Sequence, residues 1–192
     1  MPSKISVLSF TGSLRVGSYN EALLRVAAET APSELAVTIY DLANVPLYNA
    51  DVEAAGAPSS VAHFKAAIDA ADALLIATPE YNHGVPGILK NALDWASRPA
   101  GRSPLWQKPV GIIGASRGQT GTARAQSQLR QTFEFTNCFC MSQPELLVSR
   151  AHEKFDAVGR ITDRALEKRM EEFLNALADW VRQFQTAKEL RK

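Results

Sequence analysis

Short apolar runs and amphipathic stretches alternate along the chain. Residues 5–10 form an apolar run with β-branched members, which predicts a strand. A Gly/Ser turn follows, then a helical stripe of Leu23, Leu24, Val26 and Ala27. Residues 35–40 alternate as a strand does. Residues 44–60 are rich in Pro, Asn, Gly and Ser, a connection long enough to suggest a functional loop. Val61, Phe64, Ala67 and Ile68 then repeat at helical spacing, and residues 73–78 (Ala-Leu-Leu-Ile-Ala-Thr) read as a strand buried on both faces. A helix is predicted from Pro86, a residue suited to a first helical turn, carrying Leu89, Leu93 and Trp95 and stopping near Pro99. Residues 110–115 predict another buried strand, and Leu129 and Phe133 mark the helix after it. Leu146, Leu147 and Val148 form a last short strand. Leu166, Met170, Phe173, Leu174, Leu177, Val181 and Phe184 share one face of a closing helix, with Trp180 beside it.

Five alternations of strand and helix with no break in composition predict one domain over residues 1–192. Its class is α/β, an open parallel sheet with helices on both faces. There is no internal repeat and no low-complexity segment.

Composition narrows the function classes. The chain has 192 residues, 46% hydrophobic and 21% charged, which excludes disorder, collagen and coiled coil. No run reaches the ~20 apolar residues of a membrane span. The first ten residues lack the apolar core of a signal peptide, so a cytoplasmic protein is expected. Its two cysteines, Cys138 and Cys140, are too close to pair without strain and read as buried thiols in a reducing compartment. The net charge is +1, with an excess of acid in the first hundred residues and of base in the rest. The basic residues are scattered and no aromatics interleave with them, so nucleic acid is not an expected partner. No Cys-x-x-Cys and no His pair at ligand spacing points to a metal.

In such sheets, ligands bind beyond the carboxyl ends of the strands, where the strand order reverses. Three segments leave those ends with unusual composition. The first is Gly-Ser-Leu-Arg-Val-Gly-Ser-Tyr-Asn, residues 12–20. Small residues let amides turn inward, and a following helix N-terminus favours an anion. Ser13, Ser18 and Asn20 offer neutral donors and Arg15 a charge, which together favour a phosphate monoester over a plain capping turn. A Walker A loop would need Lys at position 18, and a dinucleotide fingerprint a third glycine. The second segment, residues 78–87, contains Pro79, Glu80, Tyr81 and Asn82 and offers a flat face and backbone amides to a heteroaromatic ring. Tyr81 could equally be a half-buried loop aromatic. His83 reads better as a hydrogen-bonding loop residue, and Glu80 with His83 lacks the second copy that a di-iron site needs. The third, Gly-Ala-Ser-Arg-Gly at 114–118, matches the nucleophile elbow of hydrolases. No Asp lies between Ser116 and His152, however, and a polar loop follows where an elbow turns straight into a helix.

Taken together and in this order, the three loops resemble the NADPH-dependent FMN reductase family, flavodoxin-like proteins that include chromate and quinone reductases and some azoreductases. The motifs are Gly-Ser-Leu-Arg-x-Gly-Ser-x-Asn at 12–20 and Pro-Glu-Tyr-Asn-x-x-Val-Pro-Gly-x-Leu-Lys-Asn-Ala-x-Asp-Trp at 79–95. A weaker match covers Ser-x-Gly at 116–118 and Ala-Arg-Ala-Gln at 123–126. The similarity runs from about residue 4 to 150 and is closest to the chromate/quinone branch. It implies a flavodoxin-like three-layer sandwich with a five-stranded parallel sheet in the order 2-1-3-4-5. It implies that Ser13, Arg15, Ser18 and Asn20 hold the FMN phosphate with Tyr19 beside it. Pro79, Glu80, Tyr81 and Asn82 would line the isoalloxazine, and Ser116, Arg117 and Gly118 would close its other edge. NADPH or NADH would be the hydride donor and a quinone, free flavin, azo compound or oxidised metal ion the acceptor. No side chain need act as acid or base. The resemblance also implies a homodimer or homotetramer, with Arg124 and Glu145 where subunits would meet. His83 stands where relatives often carry Tyr. A flavodoxin-type electron carrier is the alternative, against which the near-neutral charge argues; a Ser116 hydrolase is a more distant one.

Overall fold

The structure, a computed structural model, describes residues 4–189. The reading of the N-terminus as lacking a leader core falls partly on residues 1–3, outside that range. The chain runs β1 (Ile5–Thr11), α1 (Tyr19–Thr30), β2 (Leu35–Ile39), α2 (Ala50–Ala55), α3 (Ser59–Ala70) and β3 (Ala73–Ala77). Then come α4 (Gly87–Ala96), β4 (Pro109–Ala115), α5 (Ala123–Phe135), β5 (Phe139–Cys140), β6 (Leu146–Val148) and α6 (Arg164–Glu189), with a short 3-10 turn at Ala151–Glu153.

All pairings are parallel, in the order β2-β1-β3-β4-β5, and β6 also pairs with β4. The expected fifth strand is thus split. Phe139 and Cys140 pair with Pro109 and Val110, and the chain leaves the sheet before Leu146–Val148 pairs with Ile113–Ala115. The run read as buried thiols is therefore an edge strand, and both cysteines are half-buried.

Every residue of β3 and β4 is buried, which explains their unbroken apolar sequence. Alternate side chains serve two layers. Val7, Leu75, Ala77 and Ile113 face α1 and α6, meeting Leu23, Phe173, Leu174 and Leu177. Leu8, Phe10, Leu74, Ile76 and Ile112 face α3, α4 and α5, meeting Phe64, Leu89, Trp95, Leu129 and Phe133. Gly111 lets α6 close on β4, since a Cβ there would lie 3.1 Å from the Phe173 ring. Phe184 is only partly buried; it stacks on Phe139 at 4.1 Å, while Trp180 Nε1 donates to Phe139 O at 2.8 Å. These contacts hold the end of α6 on the edge strand.

The connection at 44–60 contains α2, a single short helix with no buried residue. Among the described residues, no helix is long and apolar enough to cross a membrane.

Candidate functional site

The chain leaves β1 once toward β2 on one side and returns on the other as β3, so the strand order reverses between β1 and β3. Backbone pairing continues past the strand ends: Gly12 N donates to Ala77 O (3.2 Å), Thr78 N to Ile113 O (2.9 Å) and Ser116 N to Val148 O (3.0 Å). The loops after β1, β3 and β4 therefore start at one level and face one cleft of about 460 Å³.

The first loop turns at Arg15–Ser18, where Ser18 N donates to Arg15 O and Gly17 takes φ +71°. Ser18 is the N-cap of α1; its hydroxyl oxygen accepts from Asn20 N and Glu21 N at 3.3 and 3.5 Å, long enough to be weak. The backbone N–H groups of Leu14, Val16, Gly17 and Tyr19 have no acceptor among the described residues. Arg15 is exposed and folds onto its own loop, donating to Val16 O (3.1 Å) and Gly17 O (2.8 Å) with no carboxylate partner among the described residues. The buried Asn20 is committed to the scaffold. Its amide donates to Ala115 O (3.0 Å) and accepts from Ala115 N (2.9 Å), stapling the start of α1 to the end of β4. Tyr19 packs on Phe155, ring centroids 5.5 Å apart.

The second loop is a tight hairpin. Tyr81 N donates to Gly84 O (3.1 Å) and Gly84 N to Tyr81 O (3.0 Å). Asn82 and His83 between them take φ +50° and +63°. Two successive left-handed residues are the signature of a type I′ turn. Tyr81 is half exposed, and its hydroxyl donates to Ser13 Oγ (3.4 Å), joining the first two loops across the cleft. The carboxylate of Glu80 points the other way, to the start of α5, where it accepts from Arg124 N (2.9 Å) and Ala125 N (3.2 Å).

The third loop folds back on its own sheet. A Cβ on Gly114 would stand 2.0 Å from Thr122 Oγ1 and 2.5 Å from Thr78 O, and one on Gly121 2.7 Å from Leu147 C. Only glycine fits either position. Ala151 N donates to Ser116 O and Arg150 N to Gly118 O, both at 2.9 Å. The Arg117 side chain is exposed with no partner among the described residues, and the N–H groups of Arg117 and Gly118 have no acceptor there.

Of the twelve residues singled out from sequence, ten line this one cleft; Asn82 and Gly118 do not, and Gly17 and Ala115 complete the lining. Asn82 is the outer corner of the hairpin. The sequence carried no sign of Ala115, a strand-end residue that contributes only backbone. His83 makes no side-chain hydrogen bond among the described residues, contrary to expectation. His63, which neighbours the core residues Val61 and Phe64 in the helix pattern, is exposed. Arg124 pairs within its own chain with Glu80 at 3.2 Å, and Glu145 is exposed. Ser116 does not sit on an elbow: its φ is not positive, α5 starts seven positions later at Ala123, and its hydroxyl has no hydrogen-bond partner among the described residues. Among the described residues no group of three or more His, Cys, Asp or Glu could hold a metal ion.

The chemistry of these donors fits FMN. One end of the cleft offers the N-terminus of α1, two hydroxyls, unspent amides and Arg15, a set suited to a phosphate dianion. The carboxylates nearby are engaged elsewhere, Glu80 on α5 and Glu21 with Arg25 at 3.4 Å. The other end offers Pro79, the Tyr81 ring and the free amides of 117–118, suited to a flat ring with polar edges.

Fold and cleft together define a flavodoxin-like protein with its ligand site at the switch in strand order. The family model of the NADPH-dependent FMN reductases matches residues 5–153. An NAD(P)H-dependent FMN reductase from Pseudomonas aeruginosa is 48% identical over 182 residues, 95% of this chain and 98% of that protein. A 2-hydroxy-1,4-benzoquinone reductase from a Burkholderia species is 43% identical over the same shares of the two chains. The solved structure of FerB, a flavoenzyme NAD(P)H:(acceptor) oxidoreductase from Paracoccus denitrificans, superposes with a TM-score of 0.86 at 37% identity, covering 93% of this chain and 98% of that one. The chain belongs to the NADPH-dependent FMN reductase family. It is an oxidoreductase, and FMN with NAD(P)H are its cofactors.

Proposed function

We propose that residues 1–192 act as one FMN-binding domain that takes electrons from NADPH or NADH and delivers them to quinones, with free flavin, azo compounds and oxidised metal ions such as chromate as further acceptors. The observation that carries this reading is the single cleft with unspent donors at both ends. FMN held there would supply the redox chemistry between the nicotinamide donor and the acceptor.

The chain's own residues bind and orient. Arg15, Ser13, Ser18 and the free amides of Leu14, Val16, Gly17 and Tyr19 hold the phosphate, and Asn20 keeps α1 registered on β4 beneath it. Pro79, Glu80, Tyr81 and Asn82 border the ring on one side, Asn82 through the backbone of its turn, and Ser116, Arg117 and Gly118 border it on the other. The free amides of 117–118 supply fixed dipoles for charge that develops on the ring, a stabilisation that needs no proton transfer. Arg117, unpaired at the rim, meets the donor's phosphates.

One open face serving donor and acceptor in turn gives ping-pong kinetics. Varying NADPH at several fixed quinone concentrations should give parallel double-reciprocal lines; intersecting lines would mean that both substrates bind together. The electron-carrier alternative predicts FMN binding without NADPH turnover. The exposed Trp106 and Phe135, on a groove between α4 and α5, support assembly with a second copy as a dimer or tetramer. A cytoplasmic setting suits the free thiols.

A further inference from the structure

Helix α5 begins in an unusual way. Its N-cap residue, Thr122, is left-handed at φ +72° and makes no side-chain capping bond. The first amides of a helix need acceptors; Ala123 N and Gln126 N find theirs locally in Thr120 O and Thr122 O, but those of Arg124 and Ala125 come from Glu80, more than forty positions back in sequence. Glu80 Oε2 accepts from Arg124 N at 2.9 Å and Ala125 N at 3.2 Å, and Oε1 accepts from Arg124 Nη1 at 3.2 Å. The Glu80 side chain is only 8% exposed. One turn along the helix, Gln128 Oε1 accepts from Val85 N at 2.7 Å. Both feet of the Tyr81–Gly84 hairpin are thereby fastened to α5. The helix cannot slide to follow the hairpin, because the segment leading into it is jammed at Gly114 and Gly121.

We propose that Glu80 is a positioning residue whose carboxylate sets the distance between the two loops that flank the flavin ring. This rests on the FMN reading given above. A buried carboxylate on two amides at a helix N-terminus is held by charge-assisted hydrogen bonds and by the helix dipole. Without it, Gln128 and the Tyr81–Ser13 contact are the remaining side-chain hydrogen bonds that restrain the hairpin among the described residues, and flavin binding must then order a loop that is now ordered in advance. The half-exposed guanidinium of Arg124 adds little, since solvent screens it.

The test compares Glu80→Ala, Glu80→Gln and Arg124→Gln with the parent protein. FMN affinity is read by flavin fluorescence quenching, and the Arg124 and Ala125 amides by ¹H–¹⁵N spectra of the flavin-free protein. Losing a cap of this kind corresponds to roughly a tenfold change in equilibrium constant. The Ala variant should bind FMN about tenfold more weakly with a changed visible flavin spectrum. The Gln variant, whose amide oxygen still accepts, should fall between, and Arg124→Gln should stay near the parent. The Arg124 and Ala125 amide signals should move upfield in the Ala variant. Moved amide signals with unchanged FMN affinity and flavin spectrum would make Glu80 a helix cap alone and overturn the proposal. Should the Ala variant fail to fold, the Gln variant decides by the same two readouts. A parent protein that binds no FMN would instead overturn the flavin reading itself.

Discussion

Replacing Arg15 with alanine removes the cation at the phosphate end of the cleft while leaving the turn that holds it, since Ser18 N and Arg15 O are backbone groups. A hydrogen bond from a charged donor to a phosphate contributes ~1.5–3 kcal/mol. Two facts place Arg15 at the lower end of that range. Its guanidinium is exposed, so water and salt screen it, and it must share or release its bonds to Val16 O and Gly17 O to reach a phosphate. About 1.5 kcal/mol is roughly a tenfold rise in the FMN dissociation constant. The assay is fluorescence quenching, run in parallel with FMN and with riboflavin, which has the same ring and no phosphate. FMN binding should weaken about tenfold and lose part of its salt dependence, while riboflavin binding stays as it was. Equal weakening of both ligands would show that the substitution disturbed the loop rather than a phosphate contact. Unchanged FMN binding would refute the placement of the phosphate.

Gly114→Ala pushes a methyl group into Thr122 Oγ1 and the Thr78 carbonyl; backbone cannot yield there, so thermal unfolding should register a loss of ~3 kcal/mol or more, and a melting temperature equal to the parent's would contradict the packing described. Burial raises the Cys138 and Cys140 thiols from 9.0 to about 11, an effect only partly offset by the hydrogen bond between Thr136 and Cys138 and by the charge of Arg130 beside Cys140. Their neutral forms thus stabilise the fold fully below pH 9.0, and that contribution is lost as pH rises through about 11. Alkylation of the native protein should accordingly accelerate only near pH 11, against pH 9 in denaturant. Lys154, 2.6 Å away, and the Leu166 amide lower the Asp163 carboxyl below its ordinary 3.8. Its charge therefore supports the fold above that pH and loses effect as pH falls below it. Asp163→Asn should lower the melting temperature at neutral pH, and the gap to the parent should close in acid.

Much of this architecture was legible because β3 and β4 are buried on both faces and so carry unbroken apolar runs, and because α4 and α6 repeat their apolar residues at helical spacing. The three loops stood out because Gly, Ser and Asn cluster where strands end. What escaped was short or non-local. Two residues, Phe139 and Cys140, show no alternation, and their membership of the sheet depends on Pro109 and Val110 thirty positions away. The type I′ turn at Asn82-His83 lacks the glycine that usually announces one, and its geometry is held by Glu80, which grips the start of α5, and by Gln128 of α5, which accepts from Val85 N. Glu80 and Asn20 were legible as residues of the cleft, but what their side chains bond to was not. Their partners, the amides of 124–125 and of Ala115, are backbone groups that no side-chain pattern reveals.

The most direct test of the account is anaerobic. The protein is loaded with FMN and mixed with NADPH while the visible flavin absorbance is followed, and a quinone is then added. Rapid bleaching that the quinone reverses without any partner protein is the predicted result. Tight FMN binding with no bleaching would contradict the reductase mechanism and leave an electron carrier.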